Sequence, residues 1–329
     1  MKIIAITPDK KLDSVCSVII EGMNESNIEV IATDPGNAVI KTYSEKEVID
    51  HAKNADFIFA FWGKIRGNNP PRYHLLEKIN RPDVSVYIDG SEWTATGYPD
   101  GDKTISAPWG NVNSQVYEAK FNSKRCRGNP WINERMKNYC KWYFKRECYP
   151  EDAATGIIPL LIGCQNKFFG DYSLKKDIDL FCSFGQVANG YRYEIENFCK
   201  DLQNKGYNVV VKKGLEYQDY LRHINRSYIS VSSWGAGNSC MRMWENMANE
   251  SCCFAQTTET MFPDKPVDGE HYVEYSNMEE FKEKIFYYLS KKEECKKIGE
   301  NGKKFVKEFH SGKARFDYII RHLTNGTHK

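Results

Sequence analysis

The sequence predicts an α/β protein with two parallel-sheet domains in series. Apolar runs of strand length alternate with amphipathic segments of helical period over residues 1–90, and a second alternating series begins after residue 176. Such alternation indicates parallel strands with helices on both faces of each sheet. The 329 residues suffice for two domains of ordinary size. We expect domains at residues 1–165 and 166–310, with residues 311–329 crossing back to the N-terminal domain.

In the N-terminal domain, the apolar runs and helical periods give an ordered set of elements. Ser44 and Glu47 form a capping-box pattern that predicts a helix start. The predicted strands are residues 2–7, 29–33, 57–61, 84–88 and 157–163, and the other predicted helices are residues 12–25, 73–79 and 131–139. Residues 90–122 lack any period but are rich in aromatic residues, which favours an ordered functional loop region over a disordered insert.

The C-terminal domain repeats the alternation. The predicted strands are residues 178–183, 208–212, 228–232 and 251–255, and the predicted helices are residues 191–205, 217–224, 240–249, 281–289, 293–309 and 314–323. Ligands of parallel sheets bind beyond the carboxyl ends of the strands, so candidate site residues are sought there.

The amino-acid composition and net charge argue against several classes of protein. Apolar residues make up 41% and charged residues 27%, which is a globular composition. The formal net charge of +2 argues against a nucleic-acid-binding protein with a broad basic face. The 11 cysteines have no regular spacing, and the N-terminus lacks the long apolar run of a signal peptide or membrane span. We therefore expect reduced thiols, a cytoplasmic location and no transmembrane segment.

The segment 228–255 carries the strongest functional pattern, a strand, a glycine-containing loop, a helix and a strand. Gly235 and Gly237 lack side chains where a ligand could approach the backbone. The start of the following helix offers free N–H groups and the positive end of its dipole to an anion. Glu245 lies about one and a half turns into this helix, within reach of ribose hydroxyls. The alternative is an ordinary tight turn between a strand and a helix.

The run Arg242-Met-Trp-Glu245-Asn-Met-Ala248 resembles the donor-binding signature of group-1 glycosyltransferases of the GT-B fold, in the branch that includes spore-maturation-type transferases. The strand at 179–185 followed by Arg192, and the closing segment with His310 and Arg315, are similar to the same family. The resemblance covers about residues 176–323. The N-terminal half is similar only in architecture and in the run 143–146. This family implies two Rossmann-like domains facing across a cleft, with C-terminal helices packing back toward the N-terminal domain.

Two positions depart from the family pattern. Gly237 stands where a second glutamate is usual, eight residues before Glu245. Asn249-Glu250 stands where Ala-Gly or Cys-Gly is usual. The first departure leaves the retaining mechanism open, because the missing glutamate normally approaches the donor sugar. The ribose-binding role that the resemblance implies for Glu245 is unaffected.

The resemblance implies a transferase that moves a sugar from a nucleoside-diphosphate sugar to a hydroxyl of a glycan or other acceptor, with no metal or other cofactor. From the near-zero net charge, we expect no nucleic-acid partner. On the acceptor side, Asp89 and Glu92 are candidates to orient or deprotonate the hydroxyl, and Trp93 and Trp109 to stack on a sugar face. Asp89 could equally be a turn residue, and both tryptophans could cover the core. The candidate donor-binding residues are Gly185, Arg192, Lys212, Gly235, Gly237, Asn238, Ser239, Arg242 and Glu245.

Other classes of protein fit less well. The pairs Asp100/Asp102 and Asp177/Asp179 have the Asp-x-Asp spacing of metal-dependent glycosyltransferases, but the first lies in a turn and the second leads into a strand. Zinc-protease, phosphate-binding-loop kinase and dinucleotide-binding patterns are absent from the sequence. A two-lobed protein that binds a nucleotide sugar without turnover remains the alternative. The base, the sugar, the acceptor, the stereochemical outcome and the oligomeric state stay open.

Overall fold

A computed structural model describes residues 1–10, 12–33, 41–62, 71–91, 132–170, 173–185, 191–234, 239–258 and 260–325. These residues form two parallel sheets with helices packed against them, one sheet of seven strands and one of five. The predicted fold class is confirmed.

The N-terminal sheet has the order β3-β2-β1-β4-β5-β6-β7, and every ladder in it is parallel. Its central strands are buried on both faces because helices cover them, which explains their continuous apolar runs. The strands are β1 (Lys2–Ile6), β2 (Glu29–Thr33), β3 (Thr42–Tyr43), β4 (Phe57–Phe61), β5 (Ser85–Asp89), β6 (Trp142–Lys145) and β7 (Ile158–Pro159).

Side chains cap the start of the first two helices of this domain. Asp13 accepts a hydrogen bond from the Cys16 amide at the start of the first helix, and Ser44 and Glu47 form the predicted capping box at the start of the second. The helices are α1 (Ser14–Asn24), α2 (Glu45–Ala52), α3 (Tyr73–Ile79), α4 (Glu134–Tyr139) and α5 (Pro150–Ala153).

The C-terminal sheet has the order β12-β11-β10-β8-β9 and is also parallel throughout. Its strands are β8 (Ile178–Cys182), β9 (Val209–Val211), β10 (Ser227–Ser232), β11 (Cys252–Gln256) and β12 (Val273–Tyr275). The helices are α6 (Tyr191–Asn204), α7 (Tyr217–Arg226), α8 (Met241–Ala248), α9 (Met278–Leu289), α10 (Lys292–Phe305) and α11 (Gly312–Thr324), with a π-helical turn at Val306–His310 between the last two.

Helix α11 leaves the C-terminal domain and packs against α1. Gly22 faces Gly312 so closely that a Cβ atom at Gly22 would overlap the Gly312 carbonyl. The Tyr318 hydroxyl donates to the Pro159 carbonyl at 3.0 Å, and the Arg315 guanidinium donates to the Leu160 carbonyl at 3.3 Å. One hydrophobic core therefore includes residues of both domains, and the expectation that C-terminal helices return to the N-terminal domain is confirmed.

Some elements differ from the prediction. Strands β3, β6 and β12 and helix α5 were not predicted. The predicted strand at 157–163 is wrong for most of its length, because Leu161 and Gly163 have φ values of 59° and 72° and turn the chain out of the sheet. The described cysteines are all free thiols. No described helix has the length and apolarity that a membrane crossing requires.

Candidate functional site

The carboxyl edges of the two sheets meet at one place. Arg146 and Glu147 directly follow β6, and both reach Ser239, which lies in the segment between β10 and α8. The Arg146 guanidinium donates to the Ser239 carbonyl at 2.7 Å, and the Ser239 amide donates to the Glu147 carboxylate at 2.9 Å. The Met261 amide also donates to the Cys148 carbonyl at 2.7 Å. The segment after β6 thus contacts the C-terminal domain at the edge where ligands of parallel sheets bind.

Two arginines lie beside one phenyl ring at the carboxyl end of β8. The guanidinium carbons of Arg192, on α6, and Arg242, on α8, are 5.3 Å and 5.2 Å from the centroid of the buried Phe184 ring. Both distances suit a cation–π contact. The Arg192 guanidinium also donates to the Ser233 carbonyl at 3.1 Å. The two guanidinium groups therefore place positive charge at the carboxyl end of the five-stranded sheet.

Two buried donors at the start of α8 lack partners. The Nε atom of Arg242 and the Oγ atom of Ser239 have no hydrogen-bond partner in the described part of the chain, although both atoms are buried. The Arg242 Nη1 atom contacts the Cys240 sulfur at 3.6 Å. A buried unsatisfied donor costs about 1–3 kcal/mol, and an anion with several oxygens would remove that cost. The chemistry of these donors fits a phosphate.

Glu245 lies one turn beyond Arg242 on α8, and its side chain is held by two tyrosines. The Tyr220 hydroxyl donates to one carboxylate oxygen at 2.9 Å and the Tyr217 hydroxyl to the other at 3.4 Å. Only 9% of Glu245 is exposed. Burial raises the pKa of Glu245, while the Tyr220 hydrogen bond and the Arg242 charge act to lower it. Each carboxylate oxygen keeps a lone pair for a further donor such as a ribose hydroxyl.

The remaining predicted donor-binding residues contribute less to this cluster. Gly185 follows Phe184 in open space, where a Cβ atom would meet nothing within 4 Å, so no described neighbour requires a glycine. Lys212 is exposed at the end of β9. The Ser239 amide is already bonded to Glu147, so in this conformation it does not offer its N–H to a phosphate. Gly235, Gly237 and Asn238 lie outside the described residues.

On the acceptor side, Asp89 is fully buried at the end of β5. One of its oxygens accepts from the Tyr143 hydroxyl at 2.5 Å and the Lys145 ammonium at 3.2 Å, and the other from the Ser91 amide at 2.9 Å. The Lys145 ammonium also donates to the Ser91 hydroxyl at 3.1 Å. Because Asp89 is fully buried, its carboxylate does not face an acceptor hydroxyl in this geometry. Glu92, Trp93 and Trp109 lie outside the described residues.

Sequence reasoning missed four residues of this region. Phe184, Tyr217, Tyr220 and Glu147 were not proposed as site residues. Phe184, Tyr217 and Tyr220 lie within the residues 176–323 that the resemblance covers, but no pattern singled out their side chains. Glu147 is separated from its partner Ser239 by 92 positions, so no local pattern could reveal the contact.

The described residues contain no group of three His, Cys, Asp or Glu side chains that could hold a metal ion. Of the two Asp-x-Asp pairs, the one at 177–179 is engaged by cations. Asp177 pairs with Arg226 at 2.5 Å and Asp179 with Lys292 at 2.7 Å. Asp100 and Asp102 lie outside the described residues.

A family model described as glycosyl transferase-like matches residues 173–321. Among solved structures, HepE from Anabaena in complex with UDP and glucose is 9% identical, with a TM-score of 0.54 over 99% of this chain and 100% of that one. A glycosyltransferase from Rickettsia africae is 12% identical, with a TM-score of 0.56 over 99% of each chain. An α-glucosyltransferase in complex with UDP-glucose and DNA is 9% identical, with a TM-score of 0.58 over 98% of each chain. No curated protein matches the chain.

At these identities, the solved structures establish the fold, and the glycosyl transferase-like family model matches the C-terminal part of the chain. Both agree with the resemblance that the donor-binding run and the strand at 179–185 suggested. The chain therefore has the GT-B fold, and its residues 173–321 are similar to the glycosyl transferase-like family.

Proposed function

We propose that the protein is a glycosyltransferase that moves a sugar from a nucleoside-diphosphate sugar to a hydroxyl of a glycan or other acceptor, with no metal ion in the donor site. The observation that carries the proposal is the pair of buried, unpartnered donors on Ser239 and Arg242, beside a second arginine, at the carboxyl end of the C-terminal sheet.

The two arginines supply the charge that the reaction needs. When the bond between the sugar and the diphosphate breaks, negative charge develops on the leaving phosphate, and positioned cations stabilise it. The planar guanidinium also matches phosphate oxygens in pairs of hydrogen bonds. Arg192 and Arg242 are thus suited to stabilise the phosphate charge that a metal ion stabilises in other transferases.

Glu245 completes the donor site in this proposal. Its carboxylate lies one turn of α8 beyond Arg242 and is fixed in orientation by Tyr217 and Tyr220. A ribose whose diphosphate meets Arg242 would bring its hydroxyls toward Glu245. Since the HepE and α-glucosyltransferase structures hold UDP or UDP-glucose, uridine nucleotides are the first donors to test.

The acceptor residues stay predictions. The proposed acceptor is a hydroxyl of a glycan or another molecule, met by the loop region that contains Glu92, Trp93 and Trp109. Asp89 as a base would require its carboxylate to leave Lys145 and Tyr143. The geometry favours a positioning role instead, in which Asp89 holds the Lys145 side chain and the Ser91 backbone at the end of the N-terminal sheet.

The test is a thermal-shift panel of UDP, GDP, dTDP and ADP with their common sugars, run in EDTA and again with Mn²⁺, followed by a nucleotide-release assay with hydroxyl acceptors. We expect one base to raise the melting temperature in EDTA and its sugar to be turned over. Absence of binding by all four, binding only with Mn²⁺, or saturable binding without any turnover would each contradict the proposal.

A further inference from the structure

The backbone of Ser239 is held at both its carbonyl and its amide by residues of the opposite domain. Its carbonyl accepts from Arg146 at 2.7 Å, and its amide donates to Glu147 at 2.9 Å. Arg146 is 5% exposed and Glu147 is 1% exposed, so both charged groups act within the interface between the domains. The Arg146 Nε atom and the Glu147 carboxylate lie 3.9 Å apart, which balances their charges. Hydrogen bonds between charged groups and a peptide are stronger than neutral ones, and more so when shielded from water.

The two side chains extend from a rigid base. The Arg146 amide donates to the Asp89 carbonyl at 2.9 Å, which continues the ladder between β5 and β6. The preceding residue, Lys145, is locked to the buried Asp89 carboxylate. The positions of Arg146 and Glu147 are therefore fixed by the N-terminal sheet.

Ser239 is in turn coupled to the donor site. It lies two residues before Met241, the first residue of α8, and this helix carries both Arg242 and Glu245. Any shift of the Ser239 peptide moves the start of α8 and the guanidinium of Arg242. The contact thus links the edge of the N-terminal sheet to the residues proposed to bind the nucleotide.

We propose that Arg146 and Glu147 are positioning residues for the sugar donor, which hold the Ser239 peptide so that the start of α8 is preformed for the diphosphate. This inference rests on the proposed function for its kinetic consequence. Without the pair, the backbone of Ser239 and Cys240 must be fixed at the moment of binding, and that conformational cost reduces donor affinity.

The alternative is that the same contact opposes donor binding, and this alternative predicts a different result. Glu147 occupies the amide of Ser239, which a phosphate could otherwise use, so Glu147 could compete with the donor. Under competition, removing the carboxylate improves donor binding. Under positioning, removing it weakens donor binding.

The test compares wild type with Glu147→Ala, Glu147→Gln, Arg146→Ala and Arg146→Lys, with Glu151→Gln as the matched control because Glu151 is an exposed carboxylate on α5 nearby. We expect the two alanine variants to raise the KM for UDP-glucose ~10-fold, which corresponds to losing a charged hydrogen bond to the loop, with kcat changed less than ~3-fold. Glu147→Gln keeps an oxygen that accepts from Ser239 and should restore most of the loss. The control should behave as wild type.

Hydrogen exchange of the Ser239 amide provides a readout that does not need turnover or the alanine variants. The amide should exchange at least ~10-fold faster in Glu147→Ala, or in Arg146→Lys if the alanine variants fail to fold, and remain protected in Glu147→Gln. A lower KM in Glu147→Ala, unchanged exchange in all variants, or a loss of melting temperature without a change in KM overturns the inference. If wild type neither binds nor uses UDP-glucose, the proposed function is in question, whereas the exchange experiment still decides whether the pair holds the peptide.

Discussion

Asp89 and Arg242, which lie near the carboxyl ends of the two sheets, differ in how fully their hydrogen-bonding atoms are partnered. At the N-terminal sheet, Asp89, Tyr143, Lys145 and Ser91 form a closed network in which both carboxylate oxygens of Asp89 and the Lys145 ammonium have partners. At the C-terminal sheet, the Arg242 Nε atom and the Ser239 hydroxyl are buried without partners among the described residues. Buried polar groups are normally paired, so the proposed role of the second edge is to bind a group that the described residues do not supply.

From this contrast we expect the two sets of residues to affect different properties, one the stability of the fold and the other the binding of nucleotide. Changes in the closed network should destabilise the fold and leave the intrinsic affinity for nucleotide in place. Changes at the incomplete edge should weaken nucleotide binding and leave the fold intact. The predictions below test that separation, from the largest expected effect to the smallest.

Asp89→Ala should have the largest effect on stability. It removes the partner of the buried Lys145 ammonium, and breaking a buried ion pair costs about 3–5 kcal/mol of unfolding free energy. Urea unfolding monitored by circular dichroism measures this loss. Asp50→Ala, which removes one member of the exposed pair with Lys53, is the matched control and should change little. Equal effects of the two substitutions would contradict the buried-network account.

Arg242→Ala should have the largest effect on binding. The variant removes a charged donor from the proposed diphosphate site, and we expect a loss of about 2–3 kcal/mol, or roughly 30- to 150-fold in the Kd of the preferred nucleoside diphosphate. Calorimetric titration measures it. Arg222→Ala, which removes an exposed arginine on α7, should leave the Kd unchanged. The fold of Arg242→Ala should lose less stability than that of Asp89→Ala, since the loss of the contact with Phe184 is partly offset by the removal of an unsatisfied buried donor.

Glu245→Gln should weaken nucleotide binding by about 1.5–2 kcal/mol, because an amide oxygen is a poorer acceptor for ribose hydroxyls than a carboxylate. Burial raises the pKa of Glu245, so the folded chain holds this proton more tightly than the unfolded chain does. The contribution of Glu245 to stability is therefore greatest below its unfolded pKa and falls as pH rises through the folded pKa.

Consequently, Glu245→Gln should be at least as stable as wild type at pH 7, and the difference between the two should shrink as pH falls below the folded pKa. Melting curves from pH 4 to pH 8 measure this. Lower stability of the variant at neutral pH would show that the carboxylate supports the fold rather than a ligand.

His310 belongs to neither edge and lies in the core that joins the domains. Its ring stacks on Trp244 with centroids 4.1 Å apart, and its Nε2 atom donates to the Asp264 carbonyl at 3.0 Å. Burial and the neighbouring Arg315 lower the pKa of His310 well below its ordinary value. The stability that this residue contributes is thus fully present above the unfolded pKa and lost as pH falls toward the folded pKa.

Between pH 7.5 and pH 5.5, we expect His310 to account for a loss of about 1 kcal/mol of unfolding free energy. Chemical unfolding at both pH values, in wild type and in His310→Gln, checks it. If the variant loses as much stability on acidification as wild type, His310 is not the group responsible.

Much of the fold could be predicted from local pattern. Strands β2 and β4 and helix α3 have the predicted bounds, and the capping box at Ser44 and Glu47 is present as predicted. Strand β6 was not predicted, because its last residue, Lys145, is charged. The burial of Lys145 depends on the ion pair with Asp89, which is distant in the sequence. Strand β12 has three residues, too few to establish a period.

The sequence pattern indicated the candidate site residues that lie together on one helix. Arg242 and Glu245 lie on consecutive turns of α8, so their spacing in the sequence already indicates a shared face. The ring of Phe184 and the hydroxyls of Tyr217 and Tyr220 come from other elements and carry no signal of their own. The full burial of Asp89 likewise depends on β6, a neighbour that the sequence pattern did not reveal.

A crystal structure of the protein with the nucleoside diphosphate that gives the largest thermal shift tests the central claim most directly. We expect the diphosphate to accept hydrogen bonds from the Arg242 guanidinium and the Ser239 hydroxyl, near Arg192, and the ribose hydroxyls to donate to Glu245. A nucleotide bound at the Asp89 edge, or one whose phosphates leave Arg242 and Ser239 unpartnered, would contradict it.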